Sequence, residues 1–173
     1  MQDKVILVDE NDNEIGVEEN IKAHELGKLH RAFSIFIFNT EGKLLLQRRA
    51  LSKYHSAGLW TNTCCSHPKT GETTESAAHR RIVEEMGFDC DLDEVFSFIY
   101  KARFDNGFVE HEFDHVFIGE CEVDPSPNPQ EVDEWKWVDM NWIKDDMKKT
   151  PQDYTEWFKM CFDNVLDQIK NKN

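Results

Sequence analysis

The segment spanning residues 60–87 constrains the fold of this chain more than any other part of the sequence. Its second half carries a helical pattern that starts at Thr73 or Thr74, either of which suits an N-cap, and stops at Gly87, which suits the C′ position. Apolar side chains recur four residues apart along it, at Ala78, Ile82 and Met86. The pattern predicts an amphipathic helix over Thr74–Met86, packed by one stripe against a core.

The first half of the same segment places a thiol and an imidazole two residues apart, at Cys65 and His67. The whole chain has five cysteines, an odd number without the spacing of a disulfide framework. Reduced thiols in a cytosol fit this pattern better than disulfide bonds. We therefore expect a cytoplasmic protein in which the loop before the helix carries chemistry.

Length and charge exclude several classes of protein. A chain of 173 residues with 39% hydrophobic and 12% aromatic residues can form one domain with a real core. No apolar run approaches the roughly 20 residues of a membrane span, and the N-terminal residues 1–4 lack signal-peptide character. A net charge of −14 argues against nucleic acid or an anionic membrane as partner. A small molecule is the expected ligand.

Strands dominate the middle of the chain. Strand patterns cover the ranges 29–39, 43–49, 96–104, 108–120 and 135–138. Hairpin turns are predicted at Glu41-Gly42 and Asn106-Gly107. Residues 5–8 predict an edge strand, and residues 9–16 are rich in turn formers.

Helices flank these strands. A short helix is expected over residues 18–26, and Asp139 could cap another that ends near Lys149. Thr150-Pro151 is expected to open a last helix, whose apolar stripe runs through Tyr154, Trp157, Phe158, Cys161, Phe162, Val165 and Ile169. Strands in the middle, one helix between them and helices at the end indicate an α+β fold with a mixed sheet.

The charged residues of the helix resemble a Nudix box, which runs Gly, five residues, Glu, seven residues, Arg-Glu-apolar-any-Glu-Glu-any-Gly. The matching positions here are Glu72, Arg80, Ile82, Glu84, Glu85 and Gly87. Two positions depart from the box. Ser66 stands where Gly is expected, and Arg81 stands where the first helix Glu is expected.

The departures point to one branch, because Asn62-Thr63-x-Cys65-x-His67-Pro68 before such a helix resembles the type 1 isopentenyl-diphosphate isomerases. The resemblance implies a Nudix-type α/β/α sandwich and a single domain over residues 1–173. It implies a metal-dependent enzyme without flavin, which converts isopentenyl diphosphate to dimethylallyl diphosphate in isoprenoid biosynthesis through protonation, a carbocation and deprotonation. We expect a monomer or a weak homodimer.

Three histidines and two carboxylates are candidate metal ligands: His24, His30, His67, Glu110 and Glu112. The set suits an ion of octahedral habit, Mn²⁺ or Mg²⁺, with Zn²⁺ as an alternative. From spacing alone, unrelated surface and core residues explain it equally well. The isomerase family binds its metal through His, His, His, Glu and Glu in this order, and the resemblance also adds Cys65 and Glu85 to the metal-binding residues.

The resemblance also assigns the catalytic residues. Cys65 matches the family's catalytic thiol, Glu112 its acidic partner, Tyr100 a hydroxyl that holds Glu112, and Trp157 an aromatic face for the carbocation. A thiol of reference pKa ~8.5 and a carboxylate can share a proton addition and a proton removal on two sides of a flat substrate. Pattern alone makes Trp157 a core residue of an amphipathic helix.

The diphosphate needs local positive charge in an acidic protein. Arg49, Lys53 and Arg81 match family positions for this role, and Mg²⁺ would bridge the diphosphate to Glu85. Without the resemblance, each basic residue is a solvated surface charge. His55, His79, His111 and His115 have no family role, and His111 and His115 are expected to point away from the face of Glu110 and Glu112.

Two other functions compete with the isomerase. A Nudix hydrolase would use helix glutamates to bind several Mg²⁺ ions and activate water on a nucleoside diphosphate derivative. Arg81 argues against it, because it places a cation where hydrolases place a metal-binding carboxylate. A non-catalytic Nudix-fold binding module would have no reason to keep a thiol, five ligands and an aromatic face together.

Overall fold

Nine strands and four α-helices form between residues 3 and 172, the part of the chain that this computed structural model describes. The strands are β1 (Lys4–Val8), β2 (Glu14–Glu19), β3 (His30–Phe38), β4 (Leu44–Arg49), β5 (Trp60–Thr61), β6 (Cys64–Ser66), β7 (Asp93–Arg103), β8 (Val109–Glu120) and β9 (Val132–Val138). The helices are α1 (Asn20–Leu26), α2 (Thr74–Met86), α3 (Met140–Lys149) and α4 (Glu156–Lys172). Our interpretation of residues 1–4 falls partly on Met1 and Gln2, which lie outside the described range, as does Asn173.

Strand β3 is the centre of the sheet. It pairs in parallel with β8 along its whole length, from His30 opposite Glu112 to Phe38 opposite Glu120. Its other edge pairs antiparallel with β1 at its start, with β6 in its middle and with β4 at its end. The strand is an almost continuous apolar run because both of its faces are covered. The predicted mixed sheet is therefore confirmed.

Helices cover both faces of the sheet, which confirms the α/β/α sandwich. Side chains alternate along β3, so Phe33, Ile35 and Ile37 pack with the stripe of α2 on one face. Phe36 and Phe38 face the opposite way and pack with α3 and α4. Both core clusters share the same strands.

Helix α2 has the predicted bounds and the predicted caps. Thr73 is the N-cap, and its hydroxyl oxygen accepts a hydrogen bond from the backbone N–H of Ser76 at 3.1 Å. Gly87 ends the helix at φ 77°, and a Cβ there would come within 2.5 Å of the carbonyl oxygen of Ser126. Glycine is therefore required for the conformation and for the close approach of the two backbones.

The expectation that residues 5–8 form an edge strand is wrong. Strand β1 lies between β3 and β2, and β2 is at the edge. The sequence of β2 has no strand signal because both of its faces are largely open, and Ile15 is 67% exposed. Pairing with β1, from Lys4 opposite Glu19 to Val8 opposite Glu14, makes it a strand. The helix predicted over residues 18–26 therefore starts only at Asn20.

The last helix does not open at Thr150-Pro151. Pro151 begins a single 3₁₀ turn, and α4 starts at Glu156. The chain is extended between them, because the backbone N–H of Thr155 donates to the carbonyl of Trp60 at 3.0 Å and Tyr154 bridges to Trp60. A hydrogen bond to a distant strand interrupts the helix that local pattern favours.

Both hairpin turns form as predicted, with Gly42 and Gly107 in the left-handed region. The turn at Gly107 joins β7 and β8 along most of their length and sets Tyr100 opposite Glu112. The turn at Gly42 joins β3 and β4, which pair only where Phe38 faces Leu44. Strand β4 then diverges to pair with β9 and β5.

Candidate active site

A cavity of about 230 Å³ opens at the end of the sheet where β3 begins and β4 ends. Three of the predicted metal-binding, catalytic and diphosphate-binding residues are buried beside the cavity, namely His24, His30 and Tyr100. All the others line it: Arg49, Lys53, Cys65, His67, Arg81, Glu85, Glu110, Glu112 and Trp157. The fold therefore brings together the whole set that the sequence predicted.

Strand register explains how distant residues meet. Strand β3 sets His30 beside Glu112 of β8, and β7 sets Tyr100 on the other side of Glu112. On the opposite edge of β3, Ser34 pairs with Cys65 of β6. Residues that pair directly point to the same face of a sheet. Cys65 and Glu112 therefore lie on one face, separated by β3.

Four of the predicted metal ligands form one cluster. The donor atoms of His24, His30, His67 and Glu112 all lie within 4.8 Å of one another. The rings of His24 and His30 are 4.9 Å apart between centroids, and those of His30 and His67 are 5.0 Å apart. Three imidazoles and a carboxylate match the donors that divalent transition ions prefer.

Backbone contacts orient two of these imidazoles. His24 donates from Nδ1 to the carbonyl of Asn20 at 2.8 Å, and His30 donates from Nδ1 to that of Lys28 at 2.9 Å. The lone pair of Nε2 then faces the cluster on each ring. Within residues 3–172, neither buried Nε2 atom has a hydrogen-bond partner.

Burial, and then the neighbouring His67 and His30, lower the pKa of His24 to about 4. A neutral imidazole with a free lone pair is the metal-binding form of histidine. Buried polar atoms in proteins normally have partners, so these unpaired nitrogens call for a cation. The residues present therefore fit a divalent ion.

Glu112 is the carboxylate of this cluster, and each of its two oxygens accepts a hydrogen bond. Tyr100 donates to its Oε2 at 2.6 Å, and His67 donates from Nε2 to its Oε1 at 2.9 Å. Nε2 of His30 lies 3.5 Å from the same Oε1. Burial would raise the pKa of Glu112, but the His30 and His67 imidazoles hold it well below its usual value. Glu112 is therefore ionised and fixed in orientation.

Glu110 belongs to a second group, which the sequence analysis did not anticipate. Its donor atom lies within 4.8 Å of those of His24 and His55. Burial, followed by the charge of Glu112, raises the pKa of Glu110, and its Oε2 has no hydrogen-bond partner among the described residues. His24 connects the two groups.

His55 is the imidazole that sequence reasoning missed. Its ring stacks on Phe104 at 4.8 Å between centroids and lies edge-on to Trp157 at 6.1 Å. Its Nε2 is 3.7 Å from Oε1 of Glu110. Burial, followed by the charge of Arg49, lowers the pKa of His55 to about 2. The sole signal in the sequence was its place in the same loop as Lys53.

The two adjacent cysteines occupy different environments. Cys65 is partly exposed in the cavity, whereas Cys64 is completely buried on the face covered by α2. Burial raises the pKa of both thiols, so each keeps its proton. Because neighbouring residues of a strand point to opposite faces, only Cys65 can reach a ligand.

Trp157 presents its indole to the cavity from the first turn of α4. The ring N–H donates to Oδ1 of Asn62 at 3.1 Å, which fixes its orientation. The guanidinium carbon of Arg49 lies 5.2 Å from the ring centroid. The indole therefore already contacts one cation through its π-system.

The three predicted diphosphate-binding cations line the cavity, and two of them contact carboxylates there. Arg81 pairs with Glu85 at 2.6 Å and with Glu131 at 3.3 Å, and Lys53 pairs with Glu131 at 2.5 Å. Within the described part of the chain, the buried Nε atoms of Arg49 and Arg81 have no hydrogen-bond acceptor. These groups retain donors for an anionic ligand.

Glu85 is held by two neighbours. It accepts hydrogen bonds from Nη2 of Arg81 at 2.6 Å and from Nε2 of Gln47 at 3.0 Å. Neither Gln47 nor Glu131 was singled out in the sequence, because only the tertiary structure brings Gln47 beside Glu85 and Glu131 into the cavity. The predicted Mg²⁺ ligand is therefore oriented by an amide and a guanidinium.

The remaining histidines contact other parts of the fold. His111 bonds through Nδ1 to the carbonyl of Gly27 at 3.1 Å, and His115 contacts Asp12 at 2.9 Å. His79 pairs with Asp89 at 2.6 Å on the surface of α2. The expectation that His111 and His115 point away from the face of Glu110 and Glu112 is confirmed.

Comparison with known proteins identifies the family. Residues 28–158 match the NUDIX domain family. The chain is 56% identical over 166 residues to "Isopentenyl-diphosphate Delta-isomerase 1" of Aromatoleum aromaticum, covering 96% of this chain and 94% of that protein. It is 53% identical over 168 residues to "Isopentenyl-diphosphate Delta-isomerase 2" of Photorhabdus laumondii, covering 97% and 95%.

A solved structure shares the fold. The crystal structure of DR0079 from Deinococcus radiodurans superimposes with a TM-score of 0.71 at 21% sequence identity, covering 85% of this chain and 90% of that one. This identity is low, and the similarity concerns the fold alone. Within residues 3–172, no helix combines the length and the apolar character needed to cross a membrane.

Proposed function

The chain belongs to the isopentenyl-diphosphate Delta-isomerase family of NUDIX-domain proteins, and on this premise we propose how its cavity converts isopentenyl diphosphate to dimethylallyl diphosphate. The enzyme is an isomerase that moves a carbon–carbon double bond. A proton is added at the terminal alkene carbon and another is removed two carbons away, with a carbocation between the two steps. Two proton-transferring groups and a stabilising surface must therefore face one small cavity.

The observation that carries the proposal is the placement of Cys65 and Glu112. They face the same cavity from strands on opposite sides of β3. Burial raises the pKa of the Cys65 thiol, whereas the His30 and His67 imidazoles hold the pKa of Glu112 low against the effect of burial. The pair thus holds one transferable proton and one group able to accept a proton. Moving a double bond requires both.

Tyr100 and Trp157 support this pair in different ways. The Tyr100 hydroxyl orients the Glu112 carboxylate, so we assign it a positioning and proton-sharing role. The Trp157 indole supplies an aromatic face, which stabilises a cation by ~2 kcal/mol or more when desolvated. An aromatic ring also lacks the lone pair that would trap the carbocation.

A divalent ion completes the proposed site. His24, His30, His67, Glu110 and Glu112 would hold Mn²⁺ or Mg²⁺, with Zn²⁺ as an alternative. When bound, the ion would neutralise the two buried carboxylates and fix their orientation. The unpaired Nε2 atoms of His24 and His30 support this assignment.

We assign Arg49, Lys53 and Arg81 to the diphosphate. Charge-assisted hydrogen bonds from guanidinium and ammonium groups suit phosphate oxygens. Glu85 is assigned to the Mg²⁺ that accompanies the diphosphate. The unpaired Nε atoms of Arg49 and Arg81, beside a cavity in a protein of net charge −14, support a specific anion site.

We further propose that residues 1–173 act as a single cytoplasmic domain, as a monomer or weak homodimer. The two core clusters lie on opposite faces of one sheet, which supports a single folding unit. The ligand is a small molecule, which agrees with the family and with a cavity of about 230 Å³.

A two-substrate assay tests the function. The purified protein is incubated with isopentenyl diphosphate and, separately, with a panel of nucleoside diphosphate derivatives, each with Mg²⁺ and Mn²⁺. We expect formation of the isomer and no release of phosphate from the nucleotides. Phosphate release without isomer formation would instead favour a Nudix hydrolase.

A further inference from the structure

Glu131 occupies the centre of the cationic part of the cavity. Its Oε2 lies 2.5 Å from Nζ of Lys53, and its Oε1 lies 3.3 Å from Nη2 of Arg81. One carboxylate therefore bridges two of the three cations that we assign to the diphosphate. Nothing in the sequence pattern or the family resemblance gave this residue a role.

The backbone holds Glu131 at this place. Its N–H donates to the carbonyl of Asn128 at 3.0 Å, and its carbonyl accepts from the N–H of Ala50 at 3.0 Å. Ala50 starts the loop that carries Lys53, so the carboxylate and the ammonium are fixed to adjacent backbone. The fold therefore holds the two backbone segments beside each other, and the ion pair forms between them.

Glu131 is ionised in this setting. Burial alone would raise its pKa, but the Lys53 ammonium and then the Arg81 guanidinium hold the pKa of Glu131 below its usual value. The carboxylate is 22% exposed and Lys53 is 23% exposed, so solvent and salt screen the pair only in part. A ligand that enters the cavity must exchange with this internal anion.

We propose that Glu131 is an internal counter-ion that occupies Lys53 and Arg81 until substrate arrives, and thereby makes the site select ligands of high negative charge. This inference rests on the proposed function, because it assigns these cations to the diphosphate. A small anion of low charge would only take the place of the Glu131 carboxylate beside these cations, so its binding would gain little free energy. A diphosphate carries more charge and more oxygens, so it can contact both cations and Arg49 together.

The cost of leaving a partly buried cation without a partner gives this arrangement a physical reason. Without Glu131, Arg81 would keep its contacts with Glu84 and Glu85, but Lys53 would lose the carboxylate that pairs with it. A partly buried ammonium without a partner would cost solvation free energy and would attract any anion of the solution. Glu131 removes both effects, because it pairs with Lys53 and adds a further contact to Arg81 in the absence of ligand. Selectivity then comes from competition between the fixed carboxylate and the incoming anion.

The test is direct anion binding to the Glu131→Gln variant. Inorganic phosphate and inorganic diphosphate are titrated by calorimetry into wild type and variant, without turnover. The amide keeps the shape of the side chain but removes its charge, so we expect the Kd of inorganic phosphate to fall about tenfold, which is ~1.4 kcal/mol. The Kd of diphosphate should fall less. The ratio of the Kd of phosphate to the Kd of diphosphate, which measures the preference for diphosphate, should therefore decrease.

Glu134→Gln is the matched control. Glu134 lies on β9, the strand that begins directly after Glu131, and it also pairs with an arginine, Arg48 at 3.0 Å. It is exposed, and within the described part of the chain it forms no ion pair with Lys53 or Arg81. The control removes the same charge from the protein, so it reports any general electrostatic effect. We expect both dissociation constants to remain close to those of wild type.

Weaker binding of both anions by Glu131→Gln would overturn the proposal, because Glu131 would then hold the cations in position for the ligand. Unchanged binding would overturn it as well. Thermal unfolding of each variant checks the fold, and Glu131→Ala repeats the test without an amide that could bond Lys53. Because anion binding is measured without turnover, a protein that shows the narrowed preference but does not isomerise its substrate would refute the proposed function alone.

Discussion

The hydroxyl of Tyr100 donates a hydrogen bond to Oε2 of Glu112 at 2.6 Å, across the pairing of β7 and β8. His67 occupies the other oxygen of the same carboxylate at 2.9 Å. Glu112 is therefore held at both oxygens, by Tyr100 of β7 and by His67, which directly follows β6. Its orientation toward the cavity is a property of the sheet register, since a shift of one residue would turn it to the opposite face.

Replacing Tyr100 with phenylalanine should lower kcat by about tenfold to a hundredfold, because Glu112 loses the partner that orients it. KM for isopentenyl diphosphate should change little. Tyr154→Phe is the control, because it removes a similar bond to a carboxylate, Asp146 at 2.7 Å, far from the catalytic pair. Equal activity of the two variants in steady-state kinetics would contradict the role of Tyr100.

Replacing His67 with alanine should lower the bound metal and the activity together, since the ion loses a ligand and Glu112 loses a neighbour. We expect metal affinity to fall by about tenfold or more, measured by elemental analysis after dialysis. His111→Ala removes an imidazole that contacts Gly27 and should leave both quantities unchanged. Full metal content with full activity in His67→Ala would refute the ligand assignment, and Glu110→Gln offers the same test for a carboxylate.

Arg81→Glu restores the Nudix consensus, and it should raise KM for isopentenyl diphosphate by about tenfold or more without creating a hydrolase. The new carboxylate would stand among Glu84, Glu85 and Glu131, so it would repel the substrate and its neighbours. Arg48→Glu reverses a charge that pairs with Asp133 and should leave KM almost unchanged. An unchanged KM in Arg81→Glu would show that this residue does not bind the diphosphate.

Turnover in D₂O should place deuterium in the methyl group that forms from the alkene end of isopentenyl diphosphate, as NMR of the product would report. Cys65→Ala and Glu112→Gln should each abolish turnover, because neither half-reaction completes alone. Cys64→Ala should keep most of the activity and lose only about 1 kcal/mol of stability, because this thiol packs against α2. If Cys64→Ala abolished turnover and Cys65→Ala spared it, Cys64 and not Cys65 would be the catalytic thiol. Product formed in D₂O without deuterium would exclude the protonation mechanism.

Trp157→Phe should keep part of the activity, since an aromatic ring remains, whereas Trp157→Ala should lose far more. The alanine variant also removes a nearly buried side chain, at a cost of about 3–5 kcal/mol in stability. Phe158→Ala controls for this loss, because Phe158 is buried in the same helix and packs against Phe36. If kcat corrected for the folded fraction, measured by circular dichroism, falls equally in both alanine variants, the aromatic face has no special role.

Local features of the sequence sufficed for helix α2 and for the two hairpin turns. Thr73 and Gly87 specify the ends of the helix through their own backbone preferences, and Asn106-Gly107 specifies a turn in the same way. These features act within a few residues of the chain. The predicted ligand and catalytic residues also came from the sequence, but through a family resemblance and not through any local rule.

Long-range contacts decided the rest. Strand β2 exists because β1 pairs with it, and α4 starts at Glu156 because Thr155 bonds to Trp60. Sequence patterns of helical or strand period cannot report a hydrogen bond between segments so far apart. The errors at β1 and β2 and at the start of α4 have this cause.

The same distinction holds within the cavity. The sequence determined that a thiol, imidazoles, carboxylates and basic side chains were present, in an order that matches the isomerases. Only the tertiary structure placed His55 beside Glu110 and set Glu131 between Lys53 and Arg81. The pairing of β4 with β9 and the packing of the loop before β5 bring these neighbours together. Burial there decides which charges are paired, because an unpaired charge that is removed from water is costly.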